Sequence, residues 1–296
     1  MREKGSVVQL DRISDFGSEG WGFESSLGHI LIFFFSLTNL TAQTIISDID
    51  LPSSVYETSG LEIINENLIT INDSGNPSNL YYLNKNGEML FRRMFNGLKN
   101  NDWEDLTADE EFIYIADIGN NFDIRDNLRI IKTPISPENN SFEIINFYYP
   151  EQDDFSFKEL SIYDAEGLIS FGDFLLIFTK NRAKKITEIY KLPKKSGNYK
   201  AELIGEIDVE SIVTAADFNN KMKLLAITST SDFNNYFLLL IENFDPTRLE
   251  NIKINKFKIP IGKSQVESIK IIDKSNFWIT SEAELFGKPK LYKISL

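Results

Sequence analysis

The 296-residue chain has no cysteine and a single histidine, His29. The first absence excludes a disulfide framework, a thiolate metal centre and a lipid-modified cysteine. The second leaves no histidine after residue 29, which excludes a His-based catalytic triad or a His-ligated zinc site from the body of the chain. Long Lys/Arg clusters are missing as well. The chain carries 31 basic against 44 acidic residues, a formal net charge of −13. Nucleic-acid phosphates require a basic surface, so this balance argues against such a partner. No apolar run approaches the roughly 20 residues that a membrane-spanning helix needs. Sustained helical periodicity is also lacking, and the nearest candidate, Phe155 to Tyr163, is short.

The composition that remains, 42% hydrophobic and 25% charged, is that of a globular protein. Ile30 to Leu37 reads ILIFFFSL, and Thr38 to Gln43 is small and polar. This pairing has the layout of a signal-peptide apolar region and cleavage region, so residues 30–43 are expected to direct export to the periplasm or beyond. The preceding Gly22-Phe23-Glu24-Ser25 back-translates to codons compatible with the T-arm of a transfer-RNA gene. Residues 1–29 are therefore expected to be a mis-called gene start, with a mature chain beginning near Gln43 or Thr44 and residues 44–296 forming one domain.

From Thr44 onward, short runs of β-branched and aromatic residues alternate with Gly, Asn, Asp and Pro turns, which predicts an all-β fold. Five segments share a small or acidic pair followed by an apolar residue. They are Ser59-Gly60-Leu61, Glu104-Asp105-Leu106, Glu166-Gly167-Leu168, Ala216-Asp217-Phe218 and Glu267-Ser268-Ile269. Their first residues fall 45, 62, 50 and 51 positions apart. Second and third strands follow each start, and a fourth is visible in most units. A four-stranded unit at a period of about 40–50 residues is the signature of a β-propeller blade. Five blades are expected, with six, one of them degenerate, as the alternative. The long second spacing accommodates an excursion over Pro150 to Ser161. The last unit ends after its third strand, so Thr44 to Leu51 is expected to supply the fourth and close the ring. Leu61, Leu106, Leu168, Phe218 and Ile269, with Trp103 and Trp278, are expected to pack between blades.

Carboxylates gather at the starts of the inner strands (Glu104, Glu166, Asp217 and Glu267) and at the ends of the second strands (Asp73, Asp117 and Glu282). Asp102 and Asp164 lie beside the first set. Adjacent antiparallel strands bring such starts and ends to one face, so both sets are expected at one mouth of the central channel. Clustered carboxylates either take up protons or hold a cation. Ca2+ suits an all-oxygen set, and Asp73, Glu104, Asp117, Glu166, Asp217 and Glu267 are the candidate ligands. Lys180, Arg182 and Arg125 are candidates for holding an anionic group of a small-molecule or surface ligand.

The run from Ser59-Gly60-Leu61 through Asn72-Asp73-Ser74-Gly75, Trp103-Glu104-Asp105-Leu106 and Asp117-Ile118-Gly119-Asn120-Asn121 to Glu166-Gly167-Leu168 resembles uncharacterised exported bacterial propellers. It is also similar to calcium-dependent propellers: the gluconolactonase-like, esterase-like phytase, SdiA-regulated and calcium-activated apyrase groups. The gluconolactonase-like resemblance implies metal ligation by a Glu at the start of an inner strand, which Glu104 and Glu166 match here. The Gly-Glu-Gly-Pro string of that family is missing. Two functional expectations follow: a metal-dependent hydrolase of phosphoesters or lactones, or a non-catalytic binding propeller with a structural cation.

Overall fold

The computed structural model describes residues 43–296, apart from 233, 251 and 284–286. The expected gene-start error and the apolar run Ile30–Leu37 lie outside the described residues. Among those described, regular structure is almost entirely strand, with one short 3-10 turn at Ser53–Val55. Phe155 to Tyr163 is not helical.

The chain begins with β1 (Thr44–Asp50). Blade 1 follows as β2 (Thr58–Ile64), β3 (Asn67–Asn72), β4 (Asn79–Leu83) and β5 (Met89–Met94). Blade 2 comprises β6 (Trp103–Ala108), β7 (Phe112–Asp117), β8 (Arg129–Pro134) and β9 (Glu143–Tyr148). Blade 3 contains β10 (Ala165–Phe171), β11 (Phe174–Thr179) and β12 (Ile186–Pro193). The chain then makes β13 (Gly197–Lys200), which leaves the blade, and returns as β14 (Glu202–Asp208). Blade 4 is β15 (Ile212–Asn219), β16 (Leu224–Asp232), β17 (Asn235–Glu242) and β18 (Asn255–Lys258). Blade 5 is β19 (Lys270–Ile271), β20 (Asn276–Ser281) and β21 (Lys290–Ser295), completed by β1.

These are five antiparallel meanders, and β1 pairs along β21 from Thr44↔Ser295 to Asp50↔Lys290. The expected closure is therefore observed, with five blades rather than six. Inner strands touch in the cyclic order β2, β6, β10, β15, β19 and back to β2. One strand was not anticipated. β13 pairs in parallel with β9 and adds a fifth strand to blade 2. Residues 150–161 form the expected excursion and contribute no strand.

Strand periodicity explains the packing. Ile113 and Ile115 of β7 face blade 1, in a cluster with Ile69, Ile71 and Trp103. Tyr114 and Ala116 of the same strand face blade 3, with Leu168, Leu175 and Ile177. Successive residues point to opposite faces, so a strand buried on both sides reads as continuously apolar. Three further clusters fill the remaining interfaces: blades 3 and 4, blades 4 and 5, and blades 5 and 1. Across the five clusters Leu61, Leu106, Leu168 and Ile269 are buried, as are Trp103 and Trp278, and Phe218 packs half-buried against the cluster between blades 3 and 4. Each fully buried Leu, Ile or Phe contributes about 1.5–3 kcal/mol, so these interfaces carry most of the fold's stability.

Candidate metal centre

The inner strands of blades 1 to 4 each hold one extra residue opposite the second strand. Pairing skips from Ser59 to Leu61, from Trp103 to Asp105, from Ala165 to Gly167 and from Val213 to Ala215. The bulged residues are thus Gly60, Glu104, Glu166 and Thr214. A bulge breaks the pairing and re-aims a side chain, which is why bulges recur beside functional sites. Gly60 adopts φ +63°, and a Cβ there would lie 2.7 Å from the Leu106 nitrogen, so blade 1 has room only for glycine.

A cavity of about 230 Å³ opens at the bulges of blades 2 and 3. Its charged lining is Asp73, Glu104, Glu166, Glu267 and Glu282 with Lys180 and Arg182; Ser59, Asn121 and Gln265 complete it. Four candidate ligands, Asp73, Glu104, Glu166 and Glu267, therefore meet in one place, along with two of the three candidate anion-binding residues. Oxygens of Asp73, Asp102 and Glu104 approach within 4.8 Å of one another, and so do those of Glu104, Asp164 and Glu166. Glu104 belongs to both groups. Asp102 and Asp164 thus extend the ligand set expected from the sequence. A signal was available, because Asp-x-Glu stands at 102–104 and again at 164–166, and Gln-x-Glu at 265–267.

Asp117 and Asp217 lie apart from this cavity. In blade 2 the in-register partner of Trp103 is Asp117, the position occupied in blade 3 by Thr179, opposite Ala165. Residues that reach the mouth come one step later: Lys180 after Thr179, Glu282 after Ser281, Asp73 after Asn72. Blade 2 has buried Ile118 at that step. One residue in a strand reverses the face, and Asp117 points the other way. There it accepts hydrogen bonds from Arg125 Nη2 (2.8 Å), Arg129 Nε (2.9 Å) and Asn101 Nδ2 (3.0 Å). Arg125 is consumed by this network and by the Gly119 carbonyl (2.6 Å), and it does not line the cavity. Asp217 lies three residues past the bulge of its strand. It pairs with Lys270 Nζ (2.8 Å), which also meets Glu62 (2.6 Å).

The mouth is electrostatically strained. Burial, and then the neighbouring Glu166, pushes the Glu104 carboxyl well above its usual range. Burial likewise raises Glu166 and Glu267, with Lys180 opposing the rise in both. It pushes Asp73 up to about 7, Glu282 to about 8 and Asp102 to about 6. Burial works against the Lys180 ammonium too, but Glu166 and Glu267 overcome it and hold its pKa above the ordinary lysine value. Lys180 pairs with Glu166, while Arg182 Nη2 donates to Asp164 (3.0 Å) and to Asn121 (2.6 Å).

Two groups retain unused capacity. Glu104 is only 4% exposed, and among the described residues no N–H donor reaches its carboxylate; its near neighbours are the carboxylates of Asp73, Asp102, Asp164 and Glu166, within 4.8 Å. The Glu267 Oε2 is buried without a hydrogen-bond partner. Gly119 makes the crowding sterically feasible. A Cβ there would lie 2.5 Å from Asp102 Oδ2 and would collide with Glu104 Oε1. An all-oxygen set of this kind fits a hard divalent cation such as Ca2+, whose ligands are carboxylates and carbonyls.

No family model matches the sequence, and no curated protein matches it significantly. No match supports the gluconolactonase-like, phytase-like or SdiA-regulated resemblance. Solved structures do align with the chain. The PQQ-bound form of aldose sugar dehydrogenase from Streptomyces coelicolor aligns with a TM-score of 0.51 at 8% identity, over 86% of this chain and 98% of that one. A glucose dehydrogenase gives a TM-score of 0.49 at 7% identity, over 83% of this chain and 99% of that one. At 8% identity, what the Streptomyces structure shares with this chain is the fold.

Proposed function

We propose that this propeller binds a divalent cation, Ca2+ by its donor set, at the acidic mouth. Glu104 would be the shared ligand, between Asp73 and Asp102 on one side and Asp164 and Glu166 on the other. The observation that carries this reading is Glu104 itself: nearly inaccessible, common to both carboxylate groups and without an N–H donor. The lining also favours a cation over an anion. Five carboxylates face two cations, and both cations are already engaged by acids. Titration calorimetry on chelator-stripped protein tests this. Ca2+ should bind, and Glu104→Gln should weaken binding by about tenfold or more, a loss of at least about 1.4 kcal/mol. Absence of binding, or unchanged affinity in the variant, overturns the proposal.

A hydrolase of phosphoesters or lactones is the activity this arrangement suits best. A bound cation would polarise a substrate oxygen and lower the pKa of water. The residues would supply the rest. The bound cation would offset the burial that raises Glu267, leaving its carboxylate ionised and able to accept a proton at its unused buried oxygen. Glu282, raised to about 8, would be protonated near neutrality and able to donate one. Glu267→Gln should then abolish Ca2+-dependent turnover of a phosphoester and lactone panel while Ca2+ still binds. One observation favours the alternative, a binding propeller with a structural cation: Lys180 and Arg182 have no charge to spare for a substrate anion. Under that reading Ca2+ raises the melting temperature and the panel stays inert.

PQQ, bound in the Streptomyces structure, does not fit this lining. It is a tricarboxylate, and an acidic cavity whose cations are both paired would repel it. Export is supported by Ile30–Leu37 and the small polar residues after it. N-terminal sequencing of secreted protein should begin near Thr44, and a mature chain that retains Trp21 would refute both the export and gene-start readings.

A further inference from the structure

Beside the acidic mouth the chain exposes an aromatic surface that neither the fold nor the cation site uses. Phe122 and Phe157 stack on each other, with centroids 4.8 Å apart and an interplanar angle of 22°, yet they remain 45% and 65% exposed. Ile124, Phe155 and Leu160, in the same two segments, are 52%, 42% and 59% exposed. An exposed stacked aromatic pair flanked by exposed apolar side chains is the kind of surface that marks a ligand or partner site.

The two segments are firmly built. Asp123, between Phe122 and Ile124, is buried and holds φ 56°, an unusual conformation for a residue with a side chain. Its carboxylate accepts from Ile162 N (3.0 Å), Tyr163 N (3.0 Å) and the Ser161 hydroxyl. Its carbonyl accepts from Gln152 Nε2 (2.8 Å), and the Phe122 carbonyl accepts from Lys158 N (3.0 Å). Asp123 therefore works as a clasp between the loop after β7 and the excursion over 150–161. The clasp fixes the aromatic pair in its exposed position at the cost of an unfavourable backbone angle.

Charge identifies what the surface fits. The excursion interleaves its apolar residues with acids: Glu151, Asp153, Asp154 and Glu159 are all exposed. The single lysine among them, Lys158, is already paired with Asp154. A lipid surface bearing anionic headgroups would be repelled, and so would an acidic polypeptide. A basic segment is attracted twice, by the carboxylates and by the negative faces of the rings.

We propose that Phe122, Phe157 and the flanking Ile124, Phe155 and Leu160 form a docking surface for a basic amphipathic polypeptide, one in which Lys or Arg alternates with apolar side chains. The surface is distinct from the cation cavity and does not depend on it. Two links join them: Asn121, which lines the cavity and adjoins Phe122, and Ser161, whose hydroxyl donates to Asp123 and accepts from Asp164 N (2.9 Å). The site gives the propeller a protein partner at the rim where its candidate metal centre opens.

Fluorescence anisotropy with a labelled Lys/Leu amphipathic peptide tests this on the full chain. The peptide should bind, and binding should weaken as salt shortens the reach of the carboxylates, about 10 Å at 0.1 M ionic strength. Phe122→Ser/Phe157→Ser should weaken it by about tenfold or more, the effect of removing two partly buried rings. That variant should keep the wild-type melting profile and Ca2+ affinity, because the rings lie outside the interblade clusters and the cavity. Asp153→Asn/Glu159→Gln, which leaves the rings in place, should lower affinity and flatten the salt dependence. The Glu-for-Lys version of the peptide and phosphatidylglycerol vesicles should not bind. Equal binding of the acidic peptide, binding to the vesicles, or unchanged affinity in the double Phe variant overturns the proposal.

Discussion

With divalent cations removed by a chelator, the protein should be more stable near pH 5 than near pH 8. Most carboxylates in folded proteins have depressed pKa values and stabilise as pH rises. The mouth reverses this, because burial raises Asp73 from an ordinary 3.8 to about 7, Glu282 from 4.5 to about 8 and Asp102 from 3.8 to about 6. A raised carboxyl binds more protons folded than unfolded, so its contribution is complete below the unfolded pKa and is lost as pH climbs through the folded one. The window therefore runs from just above pH 4 to about pH 8. For Asp73 alone, the step from about pH 5 to about pH 8 removes about 3 kcal/mol. These carboxyls titrate as a set, so the loss is taken for one group rather than added over three. At about 2–4 °C per kcal/mol for a domain of this size, the melting midpoint should fall by about 6–12 °C. Circular-dichroism melts in chelator across that range measure it. Ca2+ should then restore more stability at pH 8 than at pH 5, where it must displace protons. A midpoint that is flat or rising from pH 5 to pH 8 in chelator, or Ca2+ stabilisation that is larger at pH 5, would refute the reasoning.

Three further outcomes are expected. Asp117→Asn should destabilise by about 2–4 kcal/mol in chemical denaturation, because it leaves Arg125 and Arg129 without their buried partner, while Ca2+ affinity by calorimetry stays within about threefold. Gly119→Ala should push Glu104 and Asp102 apart, costing about 1–3 kcal/mol in the same assay and weakening Ca2+ binding by about tenfold or more. Removal of residues 1–50 should uncover the whole outer edge of β21, giving a species that aggregates on size exclusion and lacks a cooperative melt.

The fold was legible because every blade carries its own local signals. The strand β7 announces itself by Phe112 to Ala116 and stops at a Gly-Asn turn without help from distant residues. Glu104 and Glu166 were legible for the same reason, since each opens an inner strand. Asp117 misled because its face depends on one step of register, set by pairing with Trp103, and because Arg125 and Arg129 return to it from later in the chain. Asp217 misled through its bulge. The triplet Ala216-Asp217-Phe218 matches Glu104-Asp105-Leu106 by residue type, yet the extra residue in its strand is Thr214, so the matching positions are offset. The strand β13 left almost no trace: Gly197 to Lys200 is polar, and what makes it a strand is β9 of another blade.

That added strand bears on how the ring can move. A propeller held only by side-chain packing between blades is free to part at any seam. Isolated backbone bonds cross the seam between blades 5 and 1, as from Gly60 N to the Glu267 carbonyl (3.0 Å), but the seam between blades 2 and 3 carries a whole strand pairing, where β13 pairs with Ile145 to Tyr148 and Asn146 Nδ2 donates to Asn198 Oδ1 (3.0 Å). Blades 2 and 3 are the two that carry Glu104 and Glu166. When the ring breathes, it should open elsewhere and leave the distance between these two carboxylates almost unchanged, so β13 acts as a rivet that keeps the site's spacing independent of the looseness of the other seams.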